Sequence, residues 1–383
     1  MAVVSCRHFS GYKPCSKNPT CDEQCPHQDV AQISLLIVHL GALGAVVRST
    51  ALLRAIKRKY PKSFLTWVTD SPAHHLLRGH PVIDRVLTTQ ASDLLQLGAL
   101  EFDIAFVVDK SLKAAGILKQ TQVDQVFGFV SRPQNGAILP ATPAAEELWS
   151  LGLDNQKKFH VNRKAEVQLV HEALELGPYR RDEYWLPLDA DENEKALHRR
   201  QEWLSVRNKK ILIGLNTGCS DVIPHKKLTV DYHRQLIKKI STEFPSAEIV
   251  LLGGPEDSER NSQIAAGLEI ISSATNSGLR DGLISISCCD VVVTGDSLGM
   301  HMAISQQKQI VAWFGPTCAH EIDLFDRGIH VLTMSSCSPC WKRTCANTTM
   351  CYDQVSLEEL VNAIKSCCSN GLFGRSTFID SPA

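Results

Sequence analysis

Four stretches of the chain set small, hydroxyl-bearing or charged residues directly after apolar runs. The first is His39-Leu40-Gly41-Ala42-Leu43-Gly44-Ala45-Val46-Val47-Arg48. A strand, a glycine turn and a helix start in that order aim backbone N–H groups at a ligand. The same glycines serve plain packing in many α/β turns. The second is Asn216-Thr217-Gly218-Cys219, followed by Pro224-His225-Lys226-Lys227. Its hydroxyl and amide groups suit phosphate oxygens, and Lys226 offers the point charge that a diphosphate leaving group needs. Against that stands a solvated lysine pair on a loop. The third is Gly253-Gly254-Pro255-Glu256 with Glu259 close behind. Those carboxylates can accept from a ribose diol, or simply sit in an acidic first turn that the helix dipole favours. The fourth is Gly295-Asp296-Ser297-Leu298-Gly299-Met300-His301. It gathers acid, hydroxyl and imidazole at a strand-to-helix junction, with Asp296 and His301 about a turn and a half apart.

Cysteine adds a second kind of chemistry. Of 14 cysteines, four follow the spacing Cys337-x2-Cys340-x4-Cys345-x5-Cys351, a knuckle that a tetrahedral metal accepts. A looser set, Cys6-x8-Cys15-x5-Cys21-x3-Cys25, has His8 and His27 as alternative ligands. Zinc and iron suit these sulfurs equally, and a closed four-thiolate site is structural rather than catalytic. Free or oxidisable thiols are the plainer alternative for each set. Arg54, Lys57, Arg58, Lys59 and Lys62 make one helix end basic. That charge fits an anionic lipid surface, or a solvated face supported by the helix dipole.

The elements that must position these groups alternate between strand and helix. Leu35–Leu40, Phe64–Val68, Ile104–Val108 and Gln125–Phe129 read as strands of a parallel layer in the first half. A helix follows Gly44 and runs to about Lys59, and Thr142-Pro143 reads as a helix start. A polar helix, Asp191–Val206, links two lobes. Ile211–Leu215, Ile249–Leu252, Val291–Val293 and Ile310–Phe314 repeat the pattern, each followed by a glycine-containing turn. In open α/β sheets ligands bind beyond the carboxyl ends of the strands, so this half is the nucleotide-binding candidate. Ser356-x-x-Glu359 is a capping box for a last helix, and residues 371–383 read as a mobile tail. The expected divisions are a Cys-rich segment 1–30, an acceptor lobe 31–195, a donor lobe 196–355 carrying the second cysteine set, and a C-terminal helix and tail 356–383.

Composition closes off other classes. With 383 residues, 44% hydrophobic and 21% charged, the chain has apolar material for two cores. Lys and Arg number 40 against 41 Asp and Glu, which gives no footprint for nucleic acid. The longest apolar stretch, 33–47, is too short to span a bilayer, and 1–11 lacks the apolar core of a secretion signal. The expectation is a cytoplasmic protein with peripheral contact at most with a membrane.

Taken together, the motifs resemble the heptosyltransferase-type glycosyltransferases of family nine, over about Leu35 to Ile364. The likeness adds Trp313-Phe314-Gly315-Pro316-Thr317 and Glu321-Ile322-Asp323-Leu324 to the motifs above. The cysteine sets resemble those of one branch, and the second is similar to the iron-binding finger of autotransporter heptosyltransferases. The resemblance implies a GT-B fold of two Rossmann-like lobes whose parallel sheets face a central cleft. It implies inverting transfer from a nucleotide-sugar, often ADP-heptose, to a saccharide or lipid-linked acceptor such as lipopolysaccharide core at the inner membrane. No catalytic metal is implied, which leaves structural zinc or iron for the thiols. By position, Lys226 offsets charge on the diphosphate. Asn216, Thr217, Gly218, Gly254, Gly295, Asp296, Ser297 and His301 hold the donor, with Glu256 or Glu259 at the nucleoside. Gly41, Gly44, Ala45 and Arg48 form the acceptor loop. The family carries an aspartate, its general base, where this chain has Ala45; Asp109, at the end of the 104–108 strand, is the substitute. The rival readings are a catalytically impaired donor-binding scaffold, which binds without transfer, and a metal-thiolate interaction module, which binds metal without nucleotide.

Overall fold

A computed structural model of the chain describes residues 3–9, 11–369 and 377–379. It divides into two compact units. The first takes Met1–Ala42, Ala51–Asn155 and Gln168–Asp182; the second takes Leu43–Thr50, Gln156–Val167 and Glu183–Ala383.

The first unit holds a six-stranded sheet of β1 (Ile33–Val38), β2 (Ser63–Thr69), β3 (Arg85–Thr88), β4 (Glu101–Val107), β5 (Gln122–Ser131) and β6 (Ile138–Pro140). Their order is β3-β2-β1-β4-β5-β6. All pairs are parallel except β5 with β6. β1 lies between β2 and β4, so Leu35, Leu36, Ile37 and Val38 are all buried. Each such side chain is worth roughly 1.5–3 kcal/mol relative to exposure. A continuous apolar run is what a strand covered on both faces requires.

The second unit holds β7 (Ile211–Asn216), β8 (Ala247–Leu252), β9 (Ile271–Ser272), β10 (Val291–Gly295), β11 (Gln309–Phe314), β12 (Gly328–Leu332) and β13 (Thr377–Ile379). The order is β13-β12-β11-β10-β7-β8-β9, parallel throughout. Read from β9, the first six strands have the doubly wound 3-2-1-4-5-6 arrangement, and the first unit has its 3-2-1-4-5 part. Each sheet therefore reverses direction once, between β1 and β4 in the first unit and between β7 and β10 in the second. A crevice opens at such a point because the crossovers on either side leave in opposite directions.

Several local expectations change. The helix after Gly44 is two helices, Leu43–Ser49 and Leu52–Lys59. The Thr50 hydroxyl donates to the Val47 carbonyl (2.6 Å) and accepts from Trp185 N–H (2.9 Å). The chain returns to the first unit at that break. The helix Ala190–Ser205 opens with an Asp189/Glu192 capping box. It is part of the second unit, tied to it by Arg199–Asp281 (2.6 Å), rather than a free linker. The last crossing from the first unit to the second falls after Asp182, where a boundary at 195 was expected, and the segment 3–30 groups with the first unit. The last helix, Leu357–Ser369, is no separate piece: Leu360, Val361 and Ile364 lie in the second unit's core. The Ser356 hydroxyl caps it, accepting from Glu359 N–H (3.2 Å). Thr142 makes no cap bond; Pro143–Ala145 is a 3-10 turn leading into Glu146–Leu151. Of the tail expected to be mobile, Thr377–Ile379 is β13, and the rest of 371–383 lies outside the described residues.

Candidate functional site

The second and fourth motifs meet at the reversal point of the second sheet. Asn216 ends β7, and its amide donates to Gly218 O (3.1 Å), Thr294 Oγ1 (3.1 Å) and Ser297 Oγ (2.9 Å). One side chain so binds the turn after β7 to the turn after β10. Ser297 stands at the N-cap of the helix Leu298–Ser305 but gives it no side-chain cap. The first N–H groups of that helix keep their capacity for an acceptor. Close approach explains Gly299, where a Cβ would stand 2.6 Å from the Asn216 side chain. Gly295 brings its backbone against the turn Pro224–Lys226, where a Cβ would lie 2.6 Å from Lys226 O. That turn places Lys226 Nζ 3.3 Å from Asp296 Oδ2, with both side chains mostly buried.

The turn after β8 supplies Asp257, which the motifs did not include, and the helix behind it supplies Asn261, which follows the third motif in sequence. Asp257 Oδ2 accepts from Gly254 N–H (3.0 Å), while its Oδ1 is buried without a hydrogen-bond partner. Burial pushes the Asp257 carboxyl up. A Cβ on Gly218 would overlap that carboxylate, so the turns after β7 and β8 touch through a glycine. Thr217 Oγ1 donates to Asn261 Oδ1 (2.5 Å). The only sequence signal for Asp257 was an acid three residues after Gly254, where it caps the following turn. Glu256 and Glu259 are exposed, and Glu259 accepts from Gln263 (3.3 Å).

His301 is in the core of this unit rather than presented as a charge. Its ring stacks on Tyr184 with centroids 5.9 Å apart and packs against Gly44, where any Cβ would collide with it. Burial, then the Arg48 cation, pushes it down to about 3, so it is neutral, with Nδ1 lacking a partner. Arg48 follows Gly44 and Ala45 on the helix Leu43–Ser49 and pairs with Glu166 (2.8 Å). Glu321 pairs with Lys158 (3.3 Å). Burial, then the Glu166 charge, pushes Glu321 up to about 7. This two-acid, two-base group joins residues over 100 apart in sequence, and no spacing rule could have found it.

In the first unit Asp109 meets the start of the first motif, His39 and Leu40, at the other reversal point. Asp109 Oδ2 accepts from Leu40 N–H, just before Gly41, and Oδ1 lies 3.8 Å from His39 Nε2. Burial pushes the Asp109 carboxyl up to about 6, against the pull of that N–H. The basic helix end is largely spent within this unit. Lys57 donates to Ser63 O (3.0 Å), Arg58 to Asp182 (2.7 Å) and Lys59 to Glu175 O (2.6 Å).

Each cysteine set gathers at one small cavity. Cys6, Cys15, Cys21 and Cys25 line the first together with His8 and His27. Arg7 fastens that segment to the first unit through Ser63 O (2.9 Å) and Asp84 (2.5 Å). Cys337, Cys340, Cys345 and Cys351 line the second. Burial, then the neighbouring thiols, pushes Cys351 up to about 11. Among the described residues no three His, Cys, Asp or Glu side chains are already arranged to hold a metal ion. The thiols share cavities without converging on a point. No helix among the described residues is long and apolar enough to cross a membrane.

Comparison with known proteins bears on what these turns do. The family model of glycosyltransferase family 9 (heptosyltransferase) matches residues 94–351. Lipopolysaccharide heptosyltransferase 2 of Salmonella typhimurium (strain LT2) is 23% identical over 306 residues, 74% of this chain and 83% of that protein. Among solved structures, the glycosyl transferase family 9 protein of Veillonella parvula DSM 2008 superposes with a TM-score of 0.67 at 17% identity, covering 90% of this chain and 99% of the other. The ADP-heptose lps heptosyltransferase II of E. coli gives 0.60 at 19% identity, covering 87% and 99%. At these identities the structural likeness speaks for the fold, which is the GT-B arrangement of two Rossmann-like units.

Proposed function

The chain belongs to glycosyltransferase family 9 and is a transferase; from that premise we propose that it moves a heptose from ADP-heptose to a saccharide of the lipopolysaccharide core, with inversion at the anomeric carbon. The observation that carries the donor half is the Lys226–Asp296 pair beside Asn216 and Ser297, at the reversal point of the second sheet. The second unit is then the donor unit and the first the acceptor unit.

In this reading Asn216, Thr217, Gly218 and the free N–H groups after Ser297 meet the diphosphate. Lys226 lies within reach of its leaving oxygen, and Asp296 holds the ammonium in place and accepts from a sugar hydroxyl. Neutral His301 donates or accepts without adding charge. Gly254 sets the turn for the nucleoside, with Glu256 or Glu259 at the ribose. Gly41 of the first unit and Gly44, Ala45 and Arg48, which group with the second, shape the acceptor loop. Asp109 takes the proton from the acceptor hydroxyl. The new C–O bond forms on the face opposite the breaking one, whose electron pair leaves with ADP while Lys226 offsets the charge. A carboxylate held at about 6 is a competent base at neutral pH, worth roughly 10²- to 10⁴-fold. The reaction is proposed to take place in the cytoplasm, with peripheral contact with the inner membrane where the acceptor is lipid-linked.

For the thiols the proposal is a structural zinc or iron at each cavity. Four sulfur donors lining one small space fit such an ion once the exposed side chains turn inward. A bound ion would supply a cross-link in segments with almost no regular structure.

A second reading has its own support. Ala45 replaces the family's base, and Asp109 already spends one oxygen on Leu40 N–H, so the chain could bind donor without transferring it. Thermal shift with ADP, UDP, GDP and CMP in turn tests the donor proposal. A ligand at 100 times its Kd stabilises the fold by about 2.7 kcal/mol. A shift with ADP supports it; no shift with any nucleotide overturns it.

A further inference from the structure

The cavity of the second cysteine set has a fifth wall that the cysteine pattern does not contain. His225 lines it with Cys337, Cys340, Cys345 and Cys351. The His225 Nε2 atom is buried and has no hydrogen-bond partner. Leaving a buried ring nitrogen unpaired is destabilising, so such an atom needs a reason. An imidazole that lines the same cavity as four thiols has one, because zinc and iron take nitrogen and sulfur together.

The loop that carries the thiols is tied down by hydrogen bonds. Residues 333–350 carry no helix or strand, yet the loop is fastened to the turn after β11. Cys340 N–H (3.0 Å) and Trp341 N–H (2.8 Å) both donate to Pro316 O, and Ser338 Oγ donates to Gly315 O. Thr333 Oγ1 donates to Cys351 O (2.6 Å) at the loop's far end. Asn347 Nδ2 donates to Cys337 Sγ (3.5 Å). Cys337 and Cys345 are exposed.

We propose that His225 Nε2 is a metal ligand, completing a three-thiolate, one-imidazole site with the 337–351 loop. The inference rests on the metal reading of that loop and adds the ligand that ties it to the donor turn. His225 and Lys226 are consecutive in the 3-10 turn Pro224–Lys226. Fixing the imidazole fixes the backbone from which Lys226 reaches Asp296.

The test is cadmium-113 NMR of the full chain loaded with cadmium, which gives each site its own resonance and moves downfield with each added thiolate. Cys340→Ser identifies the resonance of this loop. In the wild-type chain that resonance is expected upfield of a four-sulfur site. His225→Ala should remove or shift it, with metal affinity falling by at least the roughly 10- to 100-fold that outer-shell changes cost. His225→Cys should restore it, moved toward the four-sulfur position. A signal from the Cys6–Cys25 segment should stay put in all three variants. A four-sulfur resonance unmoved by His225→Ala overturns the ligand and leaves the metal standing. If no resonance responds to Cys340→Ser, the metal reading of the loop falls and the ligand with it.

Discussion

Replacing Asp109 by asparagine should make the protein more stable and less active, and only above about pH 5. Burial raises the Asp109 carboxyl from 3.8 to about 6 in the folded chain. The folded state therefore binds this proton more tightly than the unfolded one. The group's contribution is fully present below about 4 and is lost as pH rises through about 6. At 1.36 kcal/mol per pH unit, keeping the ionised form buried at pH 7 costs about 3 kcal/mol. Asparagine keeps an acceptor for Leu40 N–H and carries no charge, so Asp109→Asn should recover about 1–3 kcal/mol at pH 7–8. For a unit of this size that is a rise in Tm of roughly 2–12 °C. At pH 4, where both side chains are neutral, the difference should vanish. Transfer should fall by roughly 10²- to 10⁴-fold if the carboxylate is the base. Differential scanning calorimetry at pH 4, 6 and 8 reads the first effect and a transfer assay the second. An equal Tm at pH 8, or a gain that does not change with pH, would refute the burial argument. Unchanged transfer would remove Asp109 from the chemistry.

Three further substitutions probe the second unit. Lys226→Met should lower kcat by roughly 10²- to 10³-fold, and adding Asp296→Asn should restore stability but not rate, as steady-state kinetics beside thermal melts will tell. Gly218→Ala drives a methyl into the Asp257 carboxylate and should cost about 1–3 kcal/mol; Asp257→Ala in the same chain should relieve part of it, so additive melts would speak against the contact. Arg48→Met leaves Glu166 and Glu321 facing each other and should cost about 3–5 kcal/mol at pH 8. Because the folded-state ionisation of Glu321 is raised to about 7, that loss should shrink as pH falls toward 5, and a penalty independent of pH would contradict it.

The two layers were legible because their inner strands are apolar without interruption. Leu35–Val38 and Ile249–Leu252 are buried along their whole length, a pattern only a covered parallel strand needs. β3, β6 and β9 escaped notice because they are two to four residues long and at sheet margins, too short for any periodicity. β12 was hidden by Gly328 and His330, which interrupt its apolar run although both are buried. The reversal-point groups were found because strand ends and glycines mark them in sequence. That marking located Asn216, Lys226, Asp296 and Asp109, but not what Asp257 does. Charge pairing across the fold left no such mark: nothing in the sequence joins Arg48 to Glu166 or Lys158 to Glu321. The sequence also does not show that His301, five residues after Asp296, becomes a neutral core ring when Tyr184 and Gly44 close on it.

The most direct test of the account is transfer itself. Purified chain, ADP-heptose and heptose-free lipopolysaccharide are incubated, and the acceptor is weighed by mass spectrometry, with Lys226→Met in parallel. The account predicts acceptor heavier by one heptose, one ADP released for each, and near-complete loss in the variant. Acceptor of unchanged mass with ADP-heptose demonstrably bound would contradict the transferase proposal and leave a donor-binding protein that has lost its base.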